Sequence, residues 1–318
     1  MRDAIKFARP ASSWRDYLKI ARPDHWVKNI FVLPGCALAI TLSGRTGPEI
    51  SLLVAHAVIV TCLIASANYT INEFLDAKFD RFHPIKKNRP GAQGHLWAPL
   101  VAVQWAALSV IGLALAAEAS WPMVVAAAFL LFMGILYNVE PVRTKDRAYL
   151  DVLSESINNP IRLTIGWLAI LPGQLPPSSL LICYWMGGAF LMAMKRYSEY
   201  RRINNPEVAG SYRRSFYVYT ERTLLLSSFF YALTASLLLG VFLIKYRIEY
   251  LLTVPLFALL FTQYFSLSME ADSAAQAPEK LYKEKSLVIV VFALAASVGV
   301  LTFINIPALA ILMEPVRY

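Results

Sequence analysis

The chain has 318 residues, of which 57% are hydrophobic and only 16% charged, with a mean hydropathy of +0.50. Soluble domains carry about a quarter charged residues, so this composition excludes a soluble globular protein and specifies a membrane protein with several crossings. The formal net charge of +9 would suit a nucleic-acid binder, but the placement of the bases argues for no nucleic acid as a partner.

Windows of about 20 apolar residues predict nine spans, at about 29 to 43, 50 to 71, 96 to 117, 121 to 138, 151 to 171, 178 to 195, 223 to 244, 249 to 268 and 286 to 312. The last is long enough to tilt, or to break near Pro307. The fold class is therefore an all-α polytopic membrane helix bundle, one unit over residues 1–318, with no linker composition to divide it. Of the 30 lysines and arginines, only Arg45, Lys245, Arg247 and Arg317 fall in the second set of loops, and Arg162 lies within a span. All the others lie in the N-terminal segment and the alternate loops. That asymmetry puts the N-terminus in the cytoplasm. Cys36, Cys62 and Cys183 all fall in spans and read as packing residues.

In chain order, residues 1–28 form a basic amphipathic segment with Trp14, Tyr17 and Trp26, placed to lie at the headgroup level of the membrane lipid. The polar, basic first 25 residues do not read as a cleavable leader, so the first span is expected to direct insertion itself. Lys28 and Asn29 stand where that span begins.

The second span runs into NYTINEFLDAKFDRFHPIKKNRP, residues 68–90. Asn68, Asn72, Asp76 and Asp80 are four apart and stack on one helical face. Two carboxylates and two amides on one stripe suit Mg²⁺, which takes one or two carboxylates and leaves its other positions to water and phosphate. His83-Pro84 turns the backbone out of helix, and Lys86, Lys87 and Arg89 follow on what reads as a lid.

Spans three and four carry few polar residues beyond Gln104. After them, Asp151, Glu155, Asn158 and Arg162 again share one helical face, at or inside a span, where ionisable groups are costly without a wet cavity or a partner. The loop after the sixth span brings Lys195 and Arg196, read as phosphate contacts. Arg201, Arg202, Arg213 and Arg214, interleaved with tyrosines, read mostly as membrane-facing.

The stretch Asn72-Glu73-Phe74-Leu75-Asp76-Ala77-Lys78-Phe79-Asp80 resembles the first aspartate-rich motif of the UbiA superfamily of intramembrane prenyltransferases. Glu73 stands where that motif usually has Asp. Arg89-Pro90, Trp26-Val27-Lys28-Asn29, the segment from Phe190 to Glu199, and Lys145 through Asp151 to Arg162 look like the decaprenyl-phosphate phosphoribosyltransferase branch. The resemblance implies a cytoplasm-facing active site in the cell (inner) membrane and Mg²⁺ as cofactor. It implies that Asn72, Glu73, Asp76, Asp80 and Asp151 hold the metal, with Asp76, Asp80 and Asp151 catalytic. It further implies substrate contacts from Lys28, Asn68, Lys86, Arg89, Lys145, Glu155, Asn158, Arg162, Lys195 and Arg196.

The expected reaction moves phosphoribose from phosphoribosyl diphosphate to a polyprenyl phosphate. The alternative moves a polyprenyl chain from its diphosphate to an aromatic co-substrate. A transporter would place charge near mid-membrane in several spans; here the acids cluster at one end.

Overall fold

The computed structural model describes residues 13–81, 86–203, 205–270 and 278–313. His83, Pro84, Arg317 and the first twelve residues of the amphipathic segment lie outside them. Among the described residues the regular elements are all helical. Eight stretches are long and apolar enough to cross a membrane, and the protein is an integral membrane protein.

Helix α1 (Trp14–Ala21) starts on a capping box in which the Ser13 hydroxyl and the Asp16 carboxylate each accept a backbone N–H. It ends at Arg22, whose φ of 51° is left-handed. A 3₁₀ stretch, Pro23–Val32, leads into α2 (Leu33–Ser43). Helix α3 (Ile50–Asp80) has 31 residues, roughly 46 Å at 1.5 Å per residue. A hydrocarbon layer is about 30 Å thick, so the last turns of α3, which carry the polar stripe, extend past it.

Helices α4 (Ala98–Ala119) and α5 (Trp121–Asn138) pack on α3. The predicted fifth span is two helices, α6 (Leu150–Ser156) and α7 (Asn158–Ile170), neither long enough alone to count among the eight continuous stretches of the described residues. The division falls at Ile157, and Pro160, three residues on, lacks the N–H that would continue the α6 ladder to Ser156 and is accepted in the first turn of α7. Helix α7 crosses α2 at backbone contact. A side chain at Gly35 would collide with the Leu163 carbonyl, and one at Gly166 with the Val32 carbonyl. Small residues permit such approach where lipid offers no hydrophobic drive.

Helix α8 (Ser178–Ile203) pairs with α10 (Glu221–Tyr246) around a core including Phe190, Met194 and Tyr231. Between them a short α9 (Pro206–Tyr212) and a 3₁₀ turn, Arg214–Tyr217, cap the end where α3 projects. Helices α11 (Val254–Ser268) and α12 (Lys285–Phe303) follow, and the chain breaks before α13 (Pro307–Met313), as the sequence predicts near Pro307. Arg247 donates to the carbonyls of Leu301 at 2.9 Å and Ile304 at 3.0 Å. Glu249 accepts from the Ile306 N–H at 3.2 Å, so the break is tied down from both sides.

Candidate active site

The polar stripe of α3 faces the end of α5 and the loop beyond it. Asn68 donates to the Leu130 carbonyl at 2.9 Å, and Asn72 donates to Asn138 Oδ1. Asp76 Oδ1 receives Arg143 Nη2 at 2.8 Å and also Lys145 Nζ, while Asp80 Oδ2 receives Arg89 Nη1 at 2.7 Å. Four residues at helical spacing therefore meet partners from the α5 end and from two loops.

Asn138 and Arg143 organise the loop after α5. Asn138 caps its own helix through Gly134 and accepts from Lys145 Nζ at 2.7 Å. Arg143 has φ 28°, a conformation that costs a residue with a side chain roughly 1–3 kcal/mol. It is held by Asp76, by Asp146 at 3.0 Å, by the Asn138 carbonyl at 2.8 Å and by the Phe79 ring. These side chains wall a polar cavity of about 40 Å³. Its acids are Asp76, Asp80 and Asp146; its bases are Lys86, Arg143, Lys145, Arg213 and Arg214. Burial pushes the Lys145 ammonium down to about 8 against the pull of Asp76, and pushes Lys86 down to about 8 against Glu199 and Asp80.

Asp151 does not reach the surface of this cavity. It is fully buried, and both oxygens are engaged: Tyr219 donates to Oδ1 at 2.6 Å, Ser215 to Oδ2 at 3.1 Å and Arg196 Nε to Oδ2 at 3.2 Å. Burial and the Asp151 charge push the Tyr219 phenol well above its usual range. Arg196 also pairs with Glu199 at 2.8 Å. The link to Asp76 is Arg213, which lines the cavity and stands 3.7 Å from Asp151. Arg213 and Arg214, read from sequence as membrane-facing, belong to the cavity wall. Arg143, Asp146, Ser215 and Tyr219 escaped the sequence reading; the charge density of RTKDR before Asp151 was the one signal for Arg143 and Asp146.

The remaining predicted residues lie around this centre. Glu73 turns away from the stripe to Arg22. Lys28 approaches His25 Nδ1 at 3.3 Å, and Lys195 is half-buried beside Arg196. Arg162 contacts Asn29 and Asn159 and forms no ion pair with Glu155 among the described residues. Asn158 is buried, with its Oδ1 lacking a partner. Between α8, α10 and α11 lies a second cavity of about 290 Å³ with almost wholly apolar walls, including Phe31, Leu239 and Phe261.

Among the described residues, no three acids, histidines or cysteines form a ready cage for a metal. Mg²⁺ needs none, since substrate phosphates and waters complete its shell. The oxygens present fit it: Asp76 and Asp80 share the cavity, a turn apart on one helix.

Residues 31–283 match the sequence profile of the UbiA prenyltransferase family. The chain is 32% identical over 188 residues to the decaprenyl-phosphate phosphoribosyltransferase of Mycolicibacterium smegmatis, covering 57% of this chain and 56% of that one. It is 29% identical over 203 residues to the protoheme IX farnesyltransferase of Alkalihalophilus pseudofirmus, covering 61% and 63%. The chain thus aligns with somewhat over half the length of these relatives. Its fold is similar to that of a UbiA homolog from Archaeoglobus fulgidus bound to GPP and Mg²⁺, with a TM-score of 0.67, 19% identity, and coverage of 90% of this chain and 99% of that one.

Proposed function

This chain belongs to the UbiA prenyltransferase family, and on that premise we propose that it transfers phosphoribose from phosphoribosyl diphosphate to the phosphate of a polyprenyl lipid. The observation that carries the reading is the shared cavity of Asp76 and Asp80, where five bases face three acids. An excess of cations around a Mg²⁺-binding pair suits a donor that bears a phosphate as well as a diphosphate. The 32% identity to a decaprenyl-phosphate phosphoribosyltransferase supports the same donor.

In this reading a lipid-phosphate oxygen forms the new bond to C1 of the sugar, and the C1–O bond to diphosphate breaks with its electron pair leaving on the diphosphate. Mg²⁺, when bound, neutralises charge gathering on that leaving group. Arg143 and Lys145 exchange Asp76 for the diphosphate, and Lys86, Arg213 and Arg214 take the remaining phosphate oxygens. Asp76 and Asp80, with the amide oxygen of Asn72 one turn above them, would offer the metal contacts, while Asn68 anchors the helix to α5. Glu73 and Asp151 act through the bases they hold. The attacking phosphate is ionised at neutral pH, its second pKa being about 6, so no strong general base is needed. The base-rich end of the bundle faces the cytoplasm.

The test is incubation of purified protein with labelled phosphoribosyl diphosphate, polyprenyl phosphate and Mg²⁺, followed by lipid extraction. Label in the lipid phase is expected, and its absence sinks the reading. The protoheme IX farnesyltransferase likeness favours a second reading, transfer of a polyprenyl chain from its diphosphate to an aromatic acceptor. The same protein given polyprenyl diphosphate and an aromatic acceptor tests it.

A further inference from the structure

Arg162 is a cation within a membrane segment, and among the described residues no acid forms an ion pair with it. Its Nε donates to Asn29 Oδ1 at 3.1 Å and its Nη1 to Asn159 Oδ1 at 3.4 Å. Among the described residues no carboxylate lies within ion-pairing distance, and Nη2 makes no hydrogen bond. Both amides are fixed in turn. Asn29 is 1% exposed and donates to Cys62 Sγ at 3.2 Å. Asn159 is seated by Gly188, where any side chain would collide with its amide nitrogen. A guanidinium so held keeps a free edge of N–H donors, the shape that matches a phosphate. An ionisable group at membrane depth that has amide partners but no counter-charge is a candidate functional site.

The neighbourhood says which phosphate. Asn159 lies in the wall of the 290 Å³ apolar cavity, beside Tyr184, and the rest of that wall is built from residues such as Phe31, Leu191, Phe257 and Phe261. Such a space takes a hydrocarbon chain and rejects a sugar. Arg162 lines neither cavity itself: it reaches the apolar one through Asn159, whereas the bases around Asp76 line the other.

We propose that Arg162, positioned by Asn29 and Asn159, receives the phosphate monoester of a polyprenyl lipid whose chain fills the apolar cavity, leaving the bases around Asp76 to the sugar donor. This rests on the phosphoribosyl-transfer reading only for the choice of a monophosphate headgroup. Two separate anion subsites serve two phosphate-bearing substrates, whereas transfer of a prenyl chain to a neutral aromatic needs one.

The experiment uses the full chain in lipid nanodiscs with three labelled probes of one chain length: polyprenyl phosphate, polyprenyl diphosphate and polyprenol. The wild type is expected to bind the phosphate at least about tenfold tighter than the alcohol. Arg162→Met should erase that preference and Arg162→Lys should weaken it, with the KM values for phosphoribosyl diphosphate and Mg²⁺ unchanged. If the methionine variant does not fold, the lysine variant carries the test, since it keeps charge and loses the fork. An undiminished preference in the variants, tighter binding of the diphosphate than of the phosphate, or a loss falling equally on the sugar donor overturns the assignment. A wild type that transfers no phosphoribose yet shows the Arg162-dependent preference sinks the transfer reading and keeps the subsite. Transfer that proceeds with an unaltered lipid KM in both variants does the reverse.

Discussion

Arg22 and Glu73, 51 residues apart, meet as a buried ion pair: the arginine donates Nε at 3.2 Å and Nη2 at 2.8 Å to Glu73 Oε2 while lying over the Tyr69 ring. The pair ties α1 to the helix that carries Asp76 and Asp80. A glutamate at this position has one methylene more than aspartate with which to reach Arg22.

Removing one partner of such a pair leaves an uncompensated charge, so Glu73→Ala should cost about 3 kcal/mol of stability. The double variant Arg22→Met with Glu73→Met should recover most of it. Thermal unfolding in detergent measures both, and a Mg²⁺ titration of activity in Glu73→Gln should leave the half-saturating concentration unchanged. A raised Mg²⁺ requirement with an unaltered Tm would return Glu73 to the metal.

Asp76→Asn and Asp80→Asn keep shape and lose charge. Each should lower Mg²⁺-dependent turnover at least about 100-fold while the protein still inserts and purifies. Full activity in either variant removes that residue from the chemistry.

Asp151 holds Arg196, Ser215 and Tyr219 with no exposure of its own. Asp151→Asn should therefore destabilise the cap by about 3 kcal/mol, and Tyr219→Phe by about 1–2 kcal/mol. Surviving activity in Tyr219→Phe should keep its wild-type Mg²⁺ dependence; a shift there, measured by titration, would make Asp151 a metal contact.

Lys86 and Lys145 titrate near 8 because burial disfavours their charged forms. Only the ammonium attracts phosphate, so KM for the diphosphate donor should stay level below about pH 7 and climb through pH 8 to 9. Donor binding near pH 8 should take up protons, which calorimetry in buffers of different ionisation enthalpy detects. Ligand-free stability moves the other way. The folded pKa lies below the unfolded 10.5, so the unfolded chain holds more protons between about 8 and 10.5, and stability rises with pH there. In Lys86→Arg with Lys145→Arg the alkaline climb in KM should vanish; if it persists, other groups set it.

Much of this arrangement was legible from spacing. The four-residue period of Asn68, Asn72, Asp76 and Asp80 placed them on one face, and the hydropathy windows placed that face at the end of a span. Spacing does not say what a face meets. Asp151 shares a helical register with Glu155 and Arg162, yet it turns to α8 and the cap while Arg162 turns to Asn29. Arg143 was hidden because its role depends on a left-handed backbone, and Arg213 because only the cap fold points it inward.

Helix α7 has 13 residues, about 20 Å of rise against a hydrocarbon layer of about 30 Å. Most of α7 is buried against α2, α3, α5 and α8, so that shortfall is met by protein and not by lipid. A helix too short to span by itself is thus carried inside a collar of neighbours, which fixes the depth at which Arg162 sits.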